Sequence, residues 1–147
     1  MSKDKAEEFF TKEQEAQIVA AIKAAENRTS GEIRVHLESH TDEPNLEHAK
    51  KVFEKVGMTE TELRNGVLFY LAVADRQFSI IGDKGINDVT PDDFWDNIRD
   101  TAQAHFKKGE FTEGLIAGIE MAGKALKEYF PREDDDINEL SDEISKS

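Results

Sequence analysis

Two short apolar stretches decide the fold: EIRVHLE at residues 32–38 and VLFYLAV at residues 67–73. The first alternates apolar and polar side chains, which is typical of a strand with one drier face. The second is apolar throughout, which is typical of a strand covered on both faces. Residues 45–57 lie between them, carry an apolar stripe at helical spacing and end in glycine, which predicts a helix. A strand–helix–strand unit implies a right-handed crossover and therefore two parallel strands.

The remaining elements complete a layered domain. A tight turn at residues 74–76 leads into residues 77–81, which predict a strand antiparallel to its predecessor. A helix with a capping box at Thr11 precedes the first strand, and two more helices begin near Thr90 and Thr112. Four amphipathic helices can cover both faces of the sheet. We therefore predict a three-layer α/β/α sandwich around a small mixed β-sheet.

We expect residues 1–131 to form this single domain and residues 132–147 to form an acidic C-terminal tail. The tail carries seven acidic residues against Arg132 and Lys146, which leaves a net charge of −5. A segment this charged buries too little apolar surface to offset its ordering entropy. We therefore expect most of the tail to be disordered, with its three apolar residues, Ile137, Leu140 and Ile144, available to dock onto the domain.

Composition excludes several classes of function. The chain has 147 residues and a net charge of −13, so it should repel the phosphates of nucleic acids and of anionic membranes. It has no cysteine, which excludes disulfides and thiolate chemistry. No signal-peptide pattern is visible, and the longest apolar run, residues 67–74, is far shorter than the roughly 20 residues of a membrane-spanning helix. We expect a soluble, cytoplasmic and monomeric protein.

Strand direction sorts the acidic residues by the end of the sheet at which they lie. The first two strands are parallel, so both start at the same rim of the sheet. The third strand is antiparallel to them and therefore ends at that rim. The oxygen donors at this rim are Glu32, Asp83, Asp88 and Asp92, together with Asn65 and Asn87. Ca²⁺ and Mg²⁺ take oxygen ligands, and a divalent ion relieves repulsion among clustered carboxylates. We predict a Ca²⁺ or Mg²⁺ site here. The alternative is that these acids only cap a helix and keep a surface loop hydrated.

The opposite end of the sheet carries a second group of polar residues. Asp75 is the candidate cation ligand at this end, near Asp42. The alternative for Asp75 and the adjacent Arg76 is turn chemistry with a surface ion pair. His36 and His40 would lie about 13 Å apart along an extended strand, too far to share a zinc ion unless the strand ends before His40.

An ordered series of short segments resembles the TPM domain family. In chain order they are SGEIRV (30–35), NGVL (65–68), ADR (74–76), GINDVTPD (85–92), FKKGEF (106–111) and GL (114–115). The resemblance covers roughly residues 11–130. It implies an α/β/α sandwich, divalent-ion binding and, for some members, acid phosphatase activity.

The resemblance also assigns individual positions. The residues that match the family pattern are Glu32, Asp75, Arg76 and Asp92. Arg64 stands where many members carry an acid, and Asn87 replaces a usual glutamate. Each change removes a carboxylate near the predicted site, and Asp83 and Asp88 are placed to compensate. Many members carry a signal peptide and a membrane anchor, which this sequence does not show, so it resembles a stand-alone, soluble bacterial-type member.

Three functions follow as hypotheses. The first is a divalent-cation-binding module of unknown cellular role. The second is a metal-assisted acid phosphatase acting on phosphomonoesters, in which the ion polarises the phosphoryl oxygen and Arg76 or Arg64 holds the phosphate. The net charge disfavours anionic substrates unless the metal reverses the local field. The third is a protein-interaction module whose tail or helical face recruits a partner.

Overall fold

The computed structural model describes residues 4–132 and 142–147. The helices of this part of the chain are α1 (Asp4–Glu8), α2 (Lys12–Glu26), α3 (Asn45–Lys55), α4 (Lys84–Asn87), α5 (Asp96–Lys107) and α6 (Phe111–Lys127). The strands are β1 (Glu32–Glu38), β2 (Gly66–Ala72), β3 (Gln77–Gly82) and β4 (Ser145–Lys146).

The described strands form one mixed sheet in the order β3-β2-β1-β4. β1 and β2 are parallel, with Glu32 paired to Gly66 at one end and Glu38 paired to Ala72 at the other. β3 is antiparallel to β2, as the tight turn predicted. The three strands and their directions confirm the sequence prediction.

Each face of the sheet has its own apolar core. On one face, Val35 and Phe69 pack in a cluster with residues of α2, α5 and α6. On the other face, Leu68 and Ala72 pack with α3 through residues such as Phe53. β2 is buried along its whole length, which is why its sequence is apolar without alternation. The two cores confirm the predicted α/β/α sandwich.

Helix starts were predicted with mixed success. The capping box at Thr11 is present, since Thr11 Oγ1 accepts from the backbone N–H of Gln14 at 3.1 Å and the Gln14 side chain accepts from Thr11 N at 2.9 Å. The predicted start at Thr90 is wrong. Thr90 Oγ1 donates to the carbonyl of Ile86 at 2.8 Å, so it closes the turn after α4, and α5 begins only at Asp96. A threonine hydroxyl can serve either backbone partner, and sequence does not show which one it takes.

Part of the acidic tail is a strand. Ser145 and Lys146 pair in parallel with His36 and Leu37 of β1. Ile144 packs against the apolar core on the face that α2, α5 and α6 cover. The sequence predicted a mostly disordered tail with Ile144 among the residues available to dock, so the docking of Ile144 was expected and the strand pairing was not. Residues 133–141, on which the rest of that prediction falls, lie outside the described part of the chain.

The glycine at position 85 is required by close packing of α4 against the segment before β2. A Cβ atom there would overlap the main-chain carbonyl oxygens of Leu63 and Arg64, whereas a Cβ at Gly109 would meet nothing within 4 Å. Gly109 has a φ of 79°, so alanine there carries only the left-handed backbone penalty.

We predict that Gly85→Ala lowers the free energy of unfolding by about 3 kcal/mol, because a backbone segment must move. The matched Gly109→Ala variant should cost only about 1 kcal/mol. Urea denaturation followed by circular dichroism measures both values. Equal losses in the two variants would show that α4 does not pack as described.

Candidate functional site

The predicted acids at the starts of β1 and β2 share a rim without forming a cluster. Glu32 pairs with Gly66, and the backbone N–H of Asp83 donates to the carbonyl of Gly66 at 2.9 Å. The backbones of Glu32 and Asp83 therefore lie on either side of β2, with Cα atoms about 10 Å apart at the usual strand spacing. Within residues 4–132 and 142–147, no three histidine, aspartate or glutamate side chains come together in an arrangement that could hold a metal ion.

Asp83 already has a cationic partner. Arg64 Nε donates to Asp83 Oδ2 at 2.7 Å, and Arg64 Nη2 donates to Oδ1 at 2.9 Å. The backbone N–H of Lys84 donates to Oδ1 at 2.7 Å, so Asp83 also caps α4. Arg64 has a φ of 51°, a left-handed conformation that a non-glycine residue adopts at a cost. The residue that departs from the family pattern thus supplies this carboxylate with its counter-charge.

The other acids of this rim offer little to a cation. Asp88 lies 3.6 Å from Lys84 Nζ with an exposed side chain, and Asp92 is exposed in the turn before α5. Glu26, close to Glu32, is buried, and this burial is the main cause that raises its pKa to about 9. Glu26 is therefore protonated at neutral pH and adds no negative charge to the rim.

The carboxyl ends of β1 and β2 bring a different set of residues together. His40 Nδ1 lies 2.7 Å from Asp75 Oδ1, and His40 Nε2 lies 2.7 Å from Asp42 Oδ1. The backbone N–H of Thr41 donates to Asp75 Oδ2 at 3.1 Å. We call these residues, His40, Thr41, Asp42 and Asp75, the carboxyl-end site. Asp75 was predicted from sequence, and one imidazole joins it to a second carboxylate.

Pairing of the backbones positions this site. Beyond the strands, the N–H of Val73 donates to the carbonyl of Glu38 at 2.8 Å, and that of Ala74 donates to Ser39 at 3.1 Å. The loop after β1 and the turn after β2 therefore leave the sheet side by side. Sequence reasoning placed the strand over residues 32–38, as observed, but considered His40 only as a zinc partner of His36 and not as a partner of Asp42 and Asp75. The available signal was a histidine two residues before an aspartate in a loop that precedes a helix.

The charges of the carboxyl-end site are mutually stabilising. The hydrogen bonds that His40 makes to the carboxylates of Asp42 and then of Asp75 raise the pKa of His40. The Thr41 N–H, followed by His40, lowers the pKa of Asp75. An imidazolium between two carboxylates is the arrangement that these shifts favour.

The end of this loop and the first residue of α3 hold two oxygen atoms without a hydrogen-bond partner in the described structure. Glu43 Oε1 and Asn45 Oδ1 are both buried and unpaired, while Glu43 Oε2 accepts from Lys51 Nζ at 2.9 Å and Asn45 Nδ2 donates to Ser79 Oγ at 2.7 Å. A buried acceptor without a donor is costly unless a ligand, an ion or water satisfies it.

A buried polar network lies next to this loop, on the α3 face of the sheet. Glu38 Oε1 lies 2.9 Å from His36 Nε2 and 3.8 Å from His48 Nδ1, and His48 Nδ1 lies 2.6 Å from the Tyr70 hydroxyl. Burial is the main cause that lowers the pKa of His36 and raises that of Tyr70. His36 is 1% exposed, so no substrate reaches its imidazole without a movement of the chain. The network holds Glu38 in place just before the loop of the carboxyl-end site.

We predict that the pKa of His40 lies above 6.5 and that of His36 below it, because Asp42 stabilises one imidazolium and burial disfavours the other. A raised folded-state pKa means that the stabilisation due to His40 is complete below pH 6.5, the unfolded value, and is lost as the pH rises through the folded value. NMR titration of the imidazole nitrogens measures both groups. Asp42→Asn should lower the pKa of His40 and leave the pKa of His36 unchanged. The exposed control variant Asp93→Asn should leave the pKa of both histidines unchanged. An unchanged His40 titration in Asp42→Asn would contradict the bridge.

None of the helices in the described part of the chain is both long enough and apolar enough to cross a lipid bilayer.

Comparison with solved structures supports the fold independently. The chain is 55% identical to the BA42 protein from the psychrophilic bacterium Bizionia argentinensis, with a TM-score of 0.91 over 96% of this chain and 97% of that one. The N-terminal domain of a P. gingivalis protein has 24% identity and a TM-score of 0.67, covering 82% of this chain and 78% of its own. The N-terminal domain of the Corynebacterium glutamicum protein cg2496 has 16% identity and a TM-score of 0.61, covering 94% and 81%. The last two likenesses show the fold alone.

Comparison with curated proteins gives no significant match. The family model described as the TPM domain matches residues 3–125, which is most of the chain. Together with the extent of the likeness to BA42, this match confirms the resemblance read from the sequence. The chain belongs to the TPM domain family.

Proposed function

We propose that this TPM domain is a divalent-cation-binding module and that the cation binds at the carboxyl-end site. One observation carries the proposal: a single imidazole bridges Asp42 and Asp75 at 2.7 Å to each. A histidine gives up its proton near neutral pH, so this counter-charge can be exchanged for a metal ion. By contrast, the guanidinium that neutralises Asp83 at the other rim stays charged at every accessible pH.

The available donors suit a hard cation. Carboxylate oxygens of Asp42 and Asp75 would hold the ion; the unpaired Glu43 Oε1 lies in the same loop as Asp42, and the unpaired Asn45 Oδ1 lies at the start of α3. Ca²⁺ accepts six to eight oxygens in flexible geometry, whereas Mg²⁺ demands a near-ideal octahedron. The oxygen-only donor set on loops therefore favours Ca²⁺ over Mg²⁺. Because no three acidic or histidine side chains of the described residues are arranged to hold a metal ion by themselves, water and main-chain oxygens would complete the shell, and the dissociation constant should be about 10⁻⁴ M or weaker.

This location differs in emphasis from the predicted set. Glu32, Asp83, Asp88 and Asp92 were predicted as ligands together with Asp75. Arg64 satisfies both oxygens of Asp83, and the protonated Glu26 lowers the negative charge near Glu32. Like-charge repulsion, which would draw a cation to that rim, is therefore already relieved there. The helix-capping interpretation of Asp83 accounts for its position.

The acid phosphatase hypothesis finds less support in the contacts. It needs an arginine to hold the phosphate, and both candidates have other partners. Arg64 is engaged by Asp83, and the Arg76 guanidinium lies over the Phe111 ring, 5.6 Å from its centroid. Cation binding without hydrolysis is therefore the better-supported function. A Ca²⁺-dependent phosphatase activity that disappears in Asp75→Asn would reverse this order.

We predict that Ca²⁺ added to the full chain shifts the backbone amide resonances of Thr41, Asp42 and Asp75, because these residues surround the ion. Asp75→Asn should weaken binding at least about tenfold, since one of the two bridging carboxylates is lost. The exposed variant Asp88→Asn is the matched control and should bind as the parent does. Two-dimensional NMR titration gives both the location and the affinity. Shifts confined to the acidic segment 132–143, or equal losses in the two variants, would contradict the proposal.

A further inference from the structure

The outer edge of β1 is closed by the last residues of the chain. Beyond the ladder of β4, the backbone N–H of Ser147 donates to the carbonyl of Leu37 at 2.9 Å. The N–H and the hydroxyl of Ser39 both donate to the Ser147 carbonyl oxygen, at 2.8 and 2.9 Å. Toward the start of β1 the edge is closed differently, because Glu26 Oε2 accepts from the N–H of Ile33 at 2.9 Å. The segment open to strand pairing is therefore the carboxyl half of β1.

Side chains of the closing segment enter three chemically distinct positions. Ile144 packs against the apolar core on the face that α2, α5 and α6 cover. Ser145 Oγ lies 2.9 Å from His36 Nδ1 on the opposite face of the sheet. Lys146 Nζ forms an ion pair with Glu15 Oε2 of α2 at 2.6 Å. An apolar residue, a hydroxyl and a cation alternate across the sheet, as the side chains of an extended strand do.

We propose that this edge of β1 is a strand-addition site for an extended segment of a partner protein with the pattern apolar–Ser/Thr–Lys/Arg, and that residues 144–147 occupy it as an intramolecular ligand. In such sites main-chain hydrogen bonds supply affinity and alternate side-chain positions supply specificity. The seated segment itself shows which pattern fits.

The intramolecular ligand is weakly held compared with the rest of the sheet. β4 contributes two paired residues, against seven pairs between β1 and β2. Short, polar edge segments open locally at a small fraction of the free energy of global unfolding. An opened edge presents unpaired N–H and C=O groups, which is a template for another strand. The segment 144–147 therefore protects the edge and can be displaced from it.

Charge favours a different protein over a second copy of this chain. Each copy carries a net charge of −13, so two copies repel one another. The position filled by Lys146 faces the carboxylate of Glu15, which selects a cationic residue in the occupant. A partner with a basic, extended segment satisfies both conditions.

The test uses the full chain and a fluorescent peptide with the sequence of residues 142–147. Ile144→Asp weakens the intramolecular ligand without altering β1, α2 or their side chains. We expect the peptide to bind this variant at least tenfold more tightly than the parent chain and to shift the resonances of His36 and Ser39. A peptide with the same isoleucine replaced by aspartate should not bind.

A second variant guards against loss of folding. Lys146→Glu replaces the partly exposed ion pair with Glu15 by like-charge repulsion and should also increase peptide binding, while amide resonances of β2 and β3 report an intact sheet. Equal peptide affinities for the parent chain and both variants would overturn the proposal. Concentration-dependent dimers of the parent chain, detected by sedimentation, would overturn the choice of a foreign partner, because they would identify a second copy as the occupant.

Discussion

The parallel pairing of β1 with β2 is the constraint on which the rest of the structure depends. Their register, Glu32 opposite Gly66 through Glu38 opposite Ala72, places both amino ends at one rim and both carboxyl ends at the other. Asp75 and His40 are 35 positions apart in the chain, yet their side chains lie 2.7 Å apart because the two strands end together. The crossover helix α3 covers one face and helices α2, α5 and α6 cover the other, so β2 is buried on both sides and its sequence is apolar throughout.

At each rim of the sheet a basic side chain neutralises aspartate carboxylates, but the basic residue differs between the two rims. At the amino ends, Asp83 is nearly buried and receives a bidentate arginine, a partner that never loses its charge. At the carboxyl ends, Asp42 and Asp75 share a histidine, a partner whose charge depends on pH. An arginine that is always charged forms a structural ion pair. A histidine that can lose its proton can be replaced by a metal ion as the counter-charge. This contrast, more than the number of acids at either rim, favours the carboxyl ends as the functional site.

Sequence patterns predicted those parts of the fold that repeat over several residues. The alternation in β1, the apolar run of β2 and the turn before β3 are each long enough to define a strand and its direction. Features decided by one hydrogen bond were not predictable, such as Thr90 closing α4 instead of opening α5. β4 was missed because two paired residues in an acidic segment carry no periodic signal.

The candidate site was predicted in part for the same reason. Strand direction correctly separated Asp75 from Glu32, but it could not show that Arg64 reaches Asp83 or that the His40 imidazole lies between Asp42 and Asp75. Contacts between residues distant in sequence depend on where each strand stops, which a single sequence does not specify.

A crystal structure determined with Ca²⁺ at saturating concentration tests the proposed cation site most directly. An ion coordinated by Asp42 and Asp75 at about 2.3–2.6 Å, with the His40 imidazole displaced from between them, is the predicted result. An ion held at the Glu32 and Asp83 rim, or an empty carboxyl-end site in that crystal, would contradict the account.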